Sequence, residues 1–168
     1  MFAHLNSIGL YGMDAFEVNV EADISNGLPG FDVVGLPDTA VKESRDRVRS
    51  ALKNCGFTFP MSRITVNLAP ADKRKEGPIY DLPILLAILT ASGQLSCDLS
   101  DCAMIGELSL SGEIHGIRGV LPMAIHAKEL GYHRLFVPAV NAAEGAVVEG
   151  LEVYPVTNVK QLIDHLTG

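Results

Sequence analysis

A chain of 168 residues that is 48% apolar and 20% charged carries enough apolar material for a packed core and too little charge for a disordered polymer. At this size roughly 70% of the unfolded surface becomes buried, so folding requires neither disulfides nor a structural metal, and three cysteines (Cys55, Cys97, Cys102) without a CxxC spacing fit a reducing cytoplasm better than a disulfide framework or a four-ligand zinc site. Lys plus Arg number 13 against 20 Asp plus Glu, a net charge of −7, which excludes a nucleic-acid footprint over the whole surface but leaves room for a local basic patch.

The first residues, Met1 to Ser7, lack the basic stretch and continuous apolar core of a signal peptide. Residues 14 to 24 alternate, with Phe16, Val18, Val20, Ala22 and Ile24 on one side and Glu17, Asn19, Glu21 and Asp23 on the other, the pattern of a strand with one wet face. Turn residues Asn26 to Gly30 then lead to a second strand, Phe31 to Val34, which suggests a hairpin. Asp38 reads as the N-cap of a helix near 39 to 54, ended by Asn54-Cys55-Gly56. Ile64 to Leu68 reads as a strand. After it, Lys73-Arg74-Lys75-Glu76 reads as an exposed loop. The run Leu82 to Ala91 is about half the roughly 20 residues that span a bilayer and is apolar on most sides, so it reads as a buried central helix. Asp81 before it reads as a cap for free helix amides, with a partner contact as the alternative. Residues 103 to 110 and 113 to 117 flank Ser111-Gly112 as a hairpin. A helix follows near 119 to 130, then a strand at 134 to 137, a short helix at 141 to 148, a strand at 151 to 156 and a closing helix at 159 to 166. Hairpins first and helix-strand alternation later give an α/β (α+β) class with a mixed sheet, and the chain reads as one domain cut from a longer protein.

No Gly is followed by Lys, and Gly106, Gly112, Gly116 and Gly119 do not form GxGxxG, so neither phosphate-cradling motif is present and this domain is not expected to bind ATP. The five histidines show no HxxxH or HExxH spacing, and no metal site is expected. Glu17, Glu21 and Asp23 share a strand face that could attract Mg²⁺ or Ca²⁺, although a solvated face gives the same pattern. At about 100° per residue, Lys42, Arg45, Arg49 and Lys53 fall within a sector of about 80°, one basic stripe beside the apolar side of the 39 to 54 helix. Asp46 is placed to pair with Lys42 and Glu43 with Arg47. The stripe is therefore either a solvated face laced with ion pairs or a surface for anions or another subunit. Lys73, Arg74 and Lys75 form a second basic site, which merges with the stripe if the loop folds over the helix.

The segments Gly35-Leu36-Pro37-Asp38-Thr39-Ala40-Val41-Lys42-Glu43-Ser44-Arg45-Asp46-Arg47-Val48-Arg49, Arg63 to Asp72, Arg74 to Pro78 and Tyr80 to Pro83 closely resemble the N-terminal domain of magnesium-chelatase-like ATPases of the ComM (YifB) type. The resemblance covers essentially the whole chain. It implies a domain with the fold of the Lon protease domain (a ribosomal-protein-type domain 2-like fold) in a bacterial cytoplasmic protein. An AAA+ module is expected to follow in the longer protein and to supply ATP and Mg binding. ComM-type proteins are hexameric motors that promote DNA branch migration during natural transformation, so the implied partners are the AAA+ module, neighbouring subunits and DNA, with no membrane. Lon-type proteases place a Ser after a Gly-Pro pair and a Lys on a later helix. Here Gly77-Pro78 precedes Ile79, and an ungapped alignment puts the Lys position at Leu121, which implies no catalytic residue. The reading is a non-catalytic assembly or DNA-contact module working through Lys42, Arg45, Arg49, Lys53, Lys73, Arg74 and Lys75. Its rival is a peptidase or metal-dependent hydrolase on the same scaffold, using Glu17, Glu21 and Asp23.

Overall fold

The computed structural model describes residues 1–168. A seven-stranded mixed sheet has the order β3-β4-β2-β1-β5-β8-β9, built from β1 (Phe2–Tyr11), β2 (Asp14–Ser25), β3 (Gly30–Val34), β4 (Arg63–Ala69), β5 (Cys102–Met104), β8 (Arg134–Pro138) and β9 (Glu152–Val156). A separate two-stranded ladder joins β6 (Glu107–Leu108) to β7 (Ile114–His115). Helices α1 (Thr39–Lys42), α2 (Ser44–Asn54), α3 (Asp81–Ala91), α4 (Val120–Glu129), α5 (Ala142–Gly145) and α6 (Val159–Thr167) complete the chain. The α/β class with a mixed sheet is thus the one expected.

The alternation in β2 sends Val18, Val20 and Ala22 into a core with Leu5, Ile64, Val66 and Leu68. Onto this face packs α3, with ten of its 11 residues buried, as a helix apolar all round must be. The opposite face carries a smaller cluster in which Ile8, Ala103, Leu135 and Val137 meet Val120, Met123, Ala124 and Ala127 of α4. Strand β1 is therefore covered on both sides over Leu5–Gly9 and shows no polar alternation, which is why its sequence does not announce it. Few ladder contacts tie it to β5, and two buried side chains reinforce the join: Ser7 Oγ donates to the Met104 carbonyl at 2.8 Å and Asn6 Nδ2 to the Cys102 carbonyl at 3.1 Å.

Three expectations change. The strands at 14–25 and 30–34 do not pair as a hairpin: β4 lies between them, antiparallel to β2 and parallel to β3. The stretch 103 to 110 divides, its first part joining the large sheet as β5 and its last part forming the small ladder. The helix near 39 to 54 is broken at Glu43 into α1 and α2.

Asp38 is the cap it was expected to be. One carboxylate oxygen accepts from the Val41 N–H at 2.8 Å and the other from the Gly77 N–H at 3.1 Å, so a single side chain starts α1 and pins the segment leading into α3. Asp38→Ala is expected to cost about 1–2 kcal/mol, the upper range for losing a helix cap, measured as a lower midpoint in urea unfolding with an unchanged slope.

Candidate functional site

The chain segment Pro70 to Gly77 is held against residues 35–38. The Lys75 N–H donates to the Leu36 carbonyl and the Asp38 N–H to the Lys75 carbonyl, both at 3.0 Å. Lys75 itself is fully buried. Its ammonium donates to the Gly35 carbonyl at 2.7 Å and to the Pro70 carbonyl, and burial lowers its pKa from the ordinary lysine value, with Asp72 opposing. This corrects its placement in an exposed basic loop: the ammonium is turned inward onto two backbone carbonyls, which meets the requirement that a buried polar group be hydrogen-bonded. Gly35, at φ +105°, lies so close to the Leu68 carbonyl that a Cβ would overlap it, which is what brings its own carbonyl within reach of Lys75.

The other six basic residues reach solvent to differing degrees. Lys42, Arg45 and Lys53 are exposed, and Arg49 is half-buried with its guanidinium 5.1 Å from the centre of the Phe59 ring. Lys73 lies over the Phe16 ring at 5.0 Å, and Arg74 is 3.5 Å from Glu76. The two groups do not share one depression. Lys73 and Arg74 line a hollow of about 290 Å³ beside Tyr11, Asp14 and Phe16. Lys42 and Arg45 line another of about 390 Å³ with Asp32, Val34, Arg63 and Thr65. Arg63, which the sequence did not single out, enters it from β4 and pairs with Asp32 at 2.5 Å.

The expected Glu43–Arg47 pair is not formed. Arg47 turns inward instead, and its guanidinium donates to Asp81 from Nε at 2.6 Å and from a terminal nitrogen at 3.1 Å, and to the Ala40 carbonyl at 2.8 Å. Asp81 is fully buried in the first turn of α3. It also accepts from Ser44 Oγ and from the Leu108 N–H at 3.0 Å. Asp81 therefore does not cap the amides of its own helix; it ties α2, α3 and β6 together. Burial pushes its pKa up, and the donors from Arg47, Ser44 and Leu108 oppose this.

The acidic residues of β2 have separate partners. Glu17 accepts from Tyr132 Oη at 2.6 Å and Glu21 from Asn67 Nδ2 at 2.7 Å, while Asp23 lies 4.0 Å from the chain's amino terminus.

A further cavity of about 580 Å³ opens where Gly77-Pro78-Ile79 meets the β6–β7 ladder, lined by Asp38, Glu76, Ile79, Glu107, Ile117 and Arg118 among others. None of its lining side chains is a hydroxyl, thiol or amine. Ile79 is fixed there by its carbonyl, which accepts from the Gly106 N–H at 2.9 Å. Leu121 stands on α4, 37% exposed and outside this lining.

A family model described as subunit ChlI of Mg-chelatase matches residues 20–141. The chain belongs to that ChlI family. The matched span runs from within β2 through α1 and α2, the segment holding Lys75, the Asp81 network and α4, and ends three residues past β8. Among relatives of this ChlI-family chain, competence protein ComM of Haemophilus influenzae is 44% identical over 94% of it, and a protein called YifB in Escherichia coli is 46% identical over 83%. The Lon protease of Mycolicibacterium smegmatis is 26% identical over 93%, consistent with a Lon-like domain. The chain spans less than a third of the length of these curated relatives, 31%, 28% and 21% respectively. No helix is long and apolar enough to cross a membrane.

Truncating Asp81 leaves the half-buried Arg47 guanidinium and the Leu108 N–H without their acceptor. Asp81→Ala is expected to destabilise the chain by about 3–5 kcal/mol, the cost of breaking a buried pair from one side. The double variant Asp81→Leu with Arg47→Met is expected to recover at least half of that loss, because it removes both charges together. Chemical denaturation of the three proteins measures the coupling.

Proposed function

We propose that this chain is a non-catalytic N-terminal domain of a ComM-type hexameric AAA+ ATPase, a motor for DNA branch migration in natural transformation and recombination. It would serve as a contact layer beside an ATPase module that binds ATP and Mg. The ComM-type parent rests on 44% identity to ComM over 94% of this chain, and the observation that supports the non-catalytic part is the cavity at Gly77-Pro78-Ile79. Where a Lon-type enzyme needs a nucleophilic hydroxyl and an amine to activate it, the lining offers Ile79, and the aligned amine position is Leu121, on the surface of α4. Peptide-bond attack requires a nucleophile within hydrogen-bond reach of its base, and this cavity provides neither.

What the chain does present is cations on a negatively charged body. Lys42, Arg45, Arg49 and Lys53 run along α1 and α2, and Lys73 and Arg74 stand on a separate loop. A net charge of −7 makes repulsion between copies the default, so positive patches matched with acidic neighbours favour assembly. Subunit contact is accordingly the leading use of the stripe, with DNA phosphates as the alternative ligand.

Arg45→Glu combined with Arg49→Glu is expected to leave the circular dichroism spectrum unchanged and to lower the hexamer fraction of the full-length protein several-fold, read by analytical ultracentrifugation with nucleotide. An unchanged assembly state removes subunit contact. Binding of single-stranded or branched DNA at low salt, falling steeply as salt rises, assigns the stripe to phosphates instead. Casein and fluorogenic-peptide assays, with and without divalent ions, are expected to show no turnover above a buffer blank, and turnover that survives purification to homogeneity overturns the non-catalytic reading.

A further inference from the structure

We propose that the free edge of β3 is a docking strand for an extended acidic segment of a partner polypeptide, which adds to the sheet alongside β3 and places its carboxylates on Lys42 and Arg45. This deepens the contact reading above, on which it rests, by naming the kind of ligand the basic hollow takes.

Strand β3 is the last in its sheet and runs parallel to β4. In a parallel ladder alternate residues turn their N–H and C=O toward the neighbour. The Gly30 N–H donates to the Ser62 carbonyl at 3.3 Å, which sets Gly30, Asp32 and Val34 toward β4 and leaves the backbone groups of Phe31 and Val33 directed away from it. Neither residue takes part in any turn, loop or side-chain hydrogen bond. A free edge invites pairing unless it is blocked. The opposite edge, β9, contains Pro155, which cannot donate to an added strand. Strand β3 contains no proline and no lysine, and its one charge, Asp32, is matched by Arg63.

The hollow of about 390 Å³ reaches from the open face of β3 and β4, where Asp32, Arg63 and Thr65 line it, to this edge, where Val33, Val34, Lys42 and Arg45 line it. Neither cation is ion-paired; the paired side-chain cations are Arg47, Arg63, Arg74 and Arg134. Beside it stand two exposed apolar side chains, Val34 at 45% and Leu36 at 53%. Leu36 holds a φ of +56°, a conformation that a side chain of this size rarely adopts. Lys75 holds it there, its N–H on the Leu36 carbonyl and its ammonium on the Gly35 carbonyl. The edge thus combines outward-directed backbone groups at Phe31 and Val33, whose side chains pack in the core and leave the residues 6% and 8% exposed, with apolar contacts and two unpaired cations. A phosphate backbone has no donor for the free carbonyls and no apolar partner for Val34 and Leu36. An extended peptide with carboxylates at alternate positions matches all three, main-chain bonds giving affinity and side chains the selectivity.

The probe is a capped octapeptide of alternating valine and glutamate, added to the 168-residue chain, with amide exchange followed by NMR. Exchange at Phe31 and Val33 is expected to slow at least tenfold. Affinity is expected to fall at least tenfold when lysine replaces glutamate in the peptide, when its valines are N-methylated, and in the Lys42→Glu, Arg45→Glu variant. Absence of binding, binding without protection at Phe31 and Val33, or protection that survives the double variant overturns the proposal. Protection that rises with protein concentration in the absence of peptide gives the edge to a second copy, and oligo-dT that perturbs these amides gives it to nucleic acid; either result also overturns it. If the edge fails while Arg45→Glu with Arg49→Glu still reduces assembly, the contact reading stands without this ligand. If the edge binds while assembly is unaffected, the subunit reading alone is lost.

Discussion

The arrangement of the surface depends on one buried carboxylate. Asp81 sits at the start of the most deeply buried helix and accepts from Ser44 and Arg47 on α2 and from the Leu108 amide on β6. A charge in that position is costly unless it is paired and hydrogen-bonded, and three donors from two other elements meet the requirement. Because Ser44 and Arg47 must face Asp81, the rotation of α2 about its axis is fixed. Arg45, Arg49 and Lys53 are then left on or near the solvent side. The basic stripe is in this sense the outer face of an inward-directed ion pair.

Lys75 sets a second constraint of the same kind. Its ammonium joins the carbonyls of Gly35 and Pro70, and its backbone joins Leu36 and Asp38. The strand end at Val34, the left-handed Leu36 and the first turn of α1 are thereby positioned together, although a wide stretch of sequence separates them from Lys75. A glycine is required at position 35 because the approach to Leu68 leaves no room for a side chain. Strain at Leu36 persists because both flanking carbonyls are held. These two buried polar groups, Asp81 and Lys75, lie on either side of the Gly77-Pro78 segment, so the cleft wall and the basic hollow belong to one hydrogen-bonded unit.

The elements most legible in the sequence are those with one wet face or none. Alternation marked β2, continuous apolarity marked α3, and Asp38 announced α1. Strand β1 was silent because helices cover both of its faces, which removes the polar period that identifies a strand. The insertion of β4 between β2 and β3 was also silent, since adjacent strands separated by turn residues read as a hairpin whether or not a later strand comes between them. At the site, spacing implied one continuous helix, whereas the break at Glu43 puts Lys42 on α1 and Arg45, Arg49 and Lys53 on α2. Spacing could not tell Arg47 or Lys75 from their solvated neighbours, because burial of a charge is decided by acceptors contributed from distant segments. Arg63 was missed for the same reason: it comes to the hollow through sheet pairing.

Unequal covering of the sheet explains where contact is concentrated. One face is roofed by α2, α3 and α6, whereas on the other α4 packs against β2, β1 and β8 and α5 against β8 and β9, leaving β3 and β4 uncovered. Asp32, Arg63, Thr65 and Asn67 remain on the open part as half-buried or exposed polar groups. A bare sheet face with mixed charge is stable in water as long as its polar residues find partners, and Arg63 with Asp32 and Asn67 with Glu21 do so. Lys42 and Arg45 reach the rim of that face without an ion-pair partner. On a body of net negative charge, unpaired cations beside a strand edge are the place where an acidic neighbour, if one docks, meets attraction rather than repulsion, its carboxylates neutralising Lys42 and Arg45 while its main chain pairs with β3.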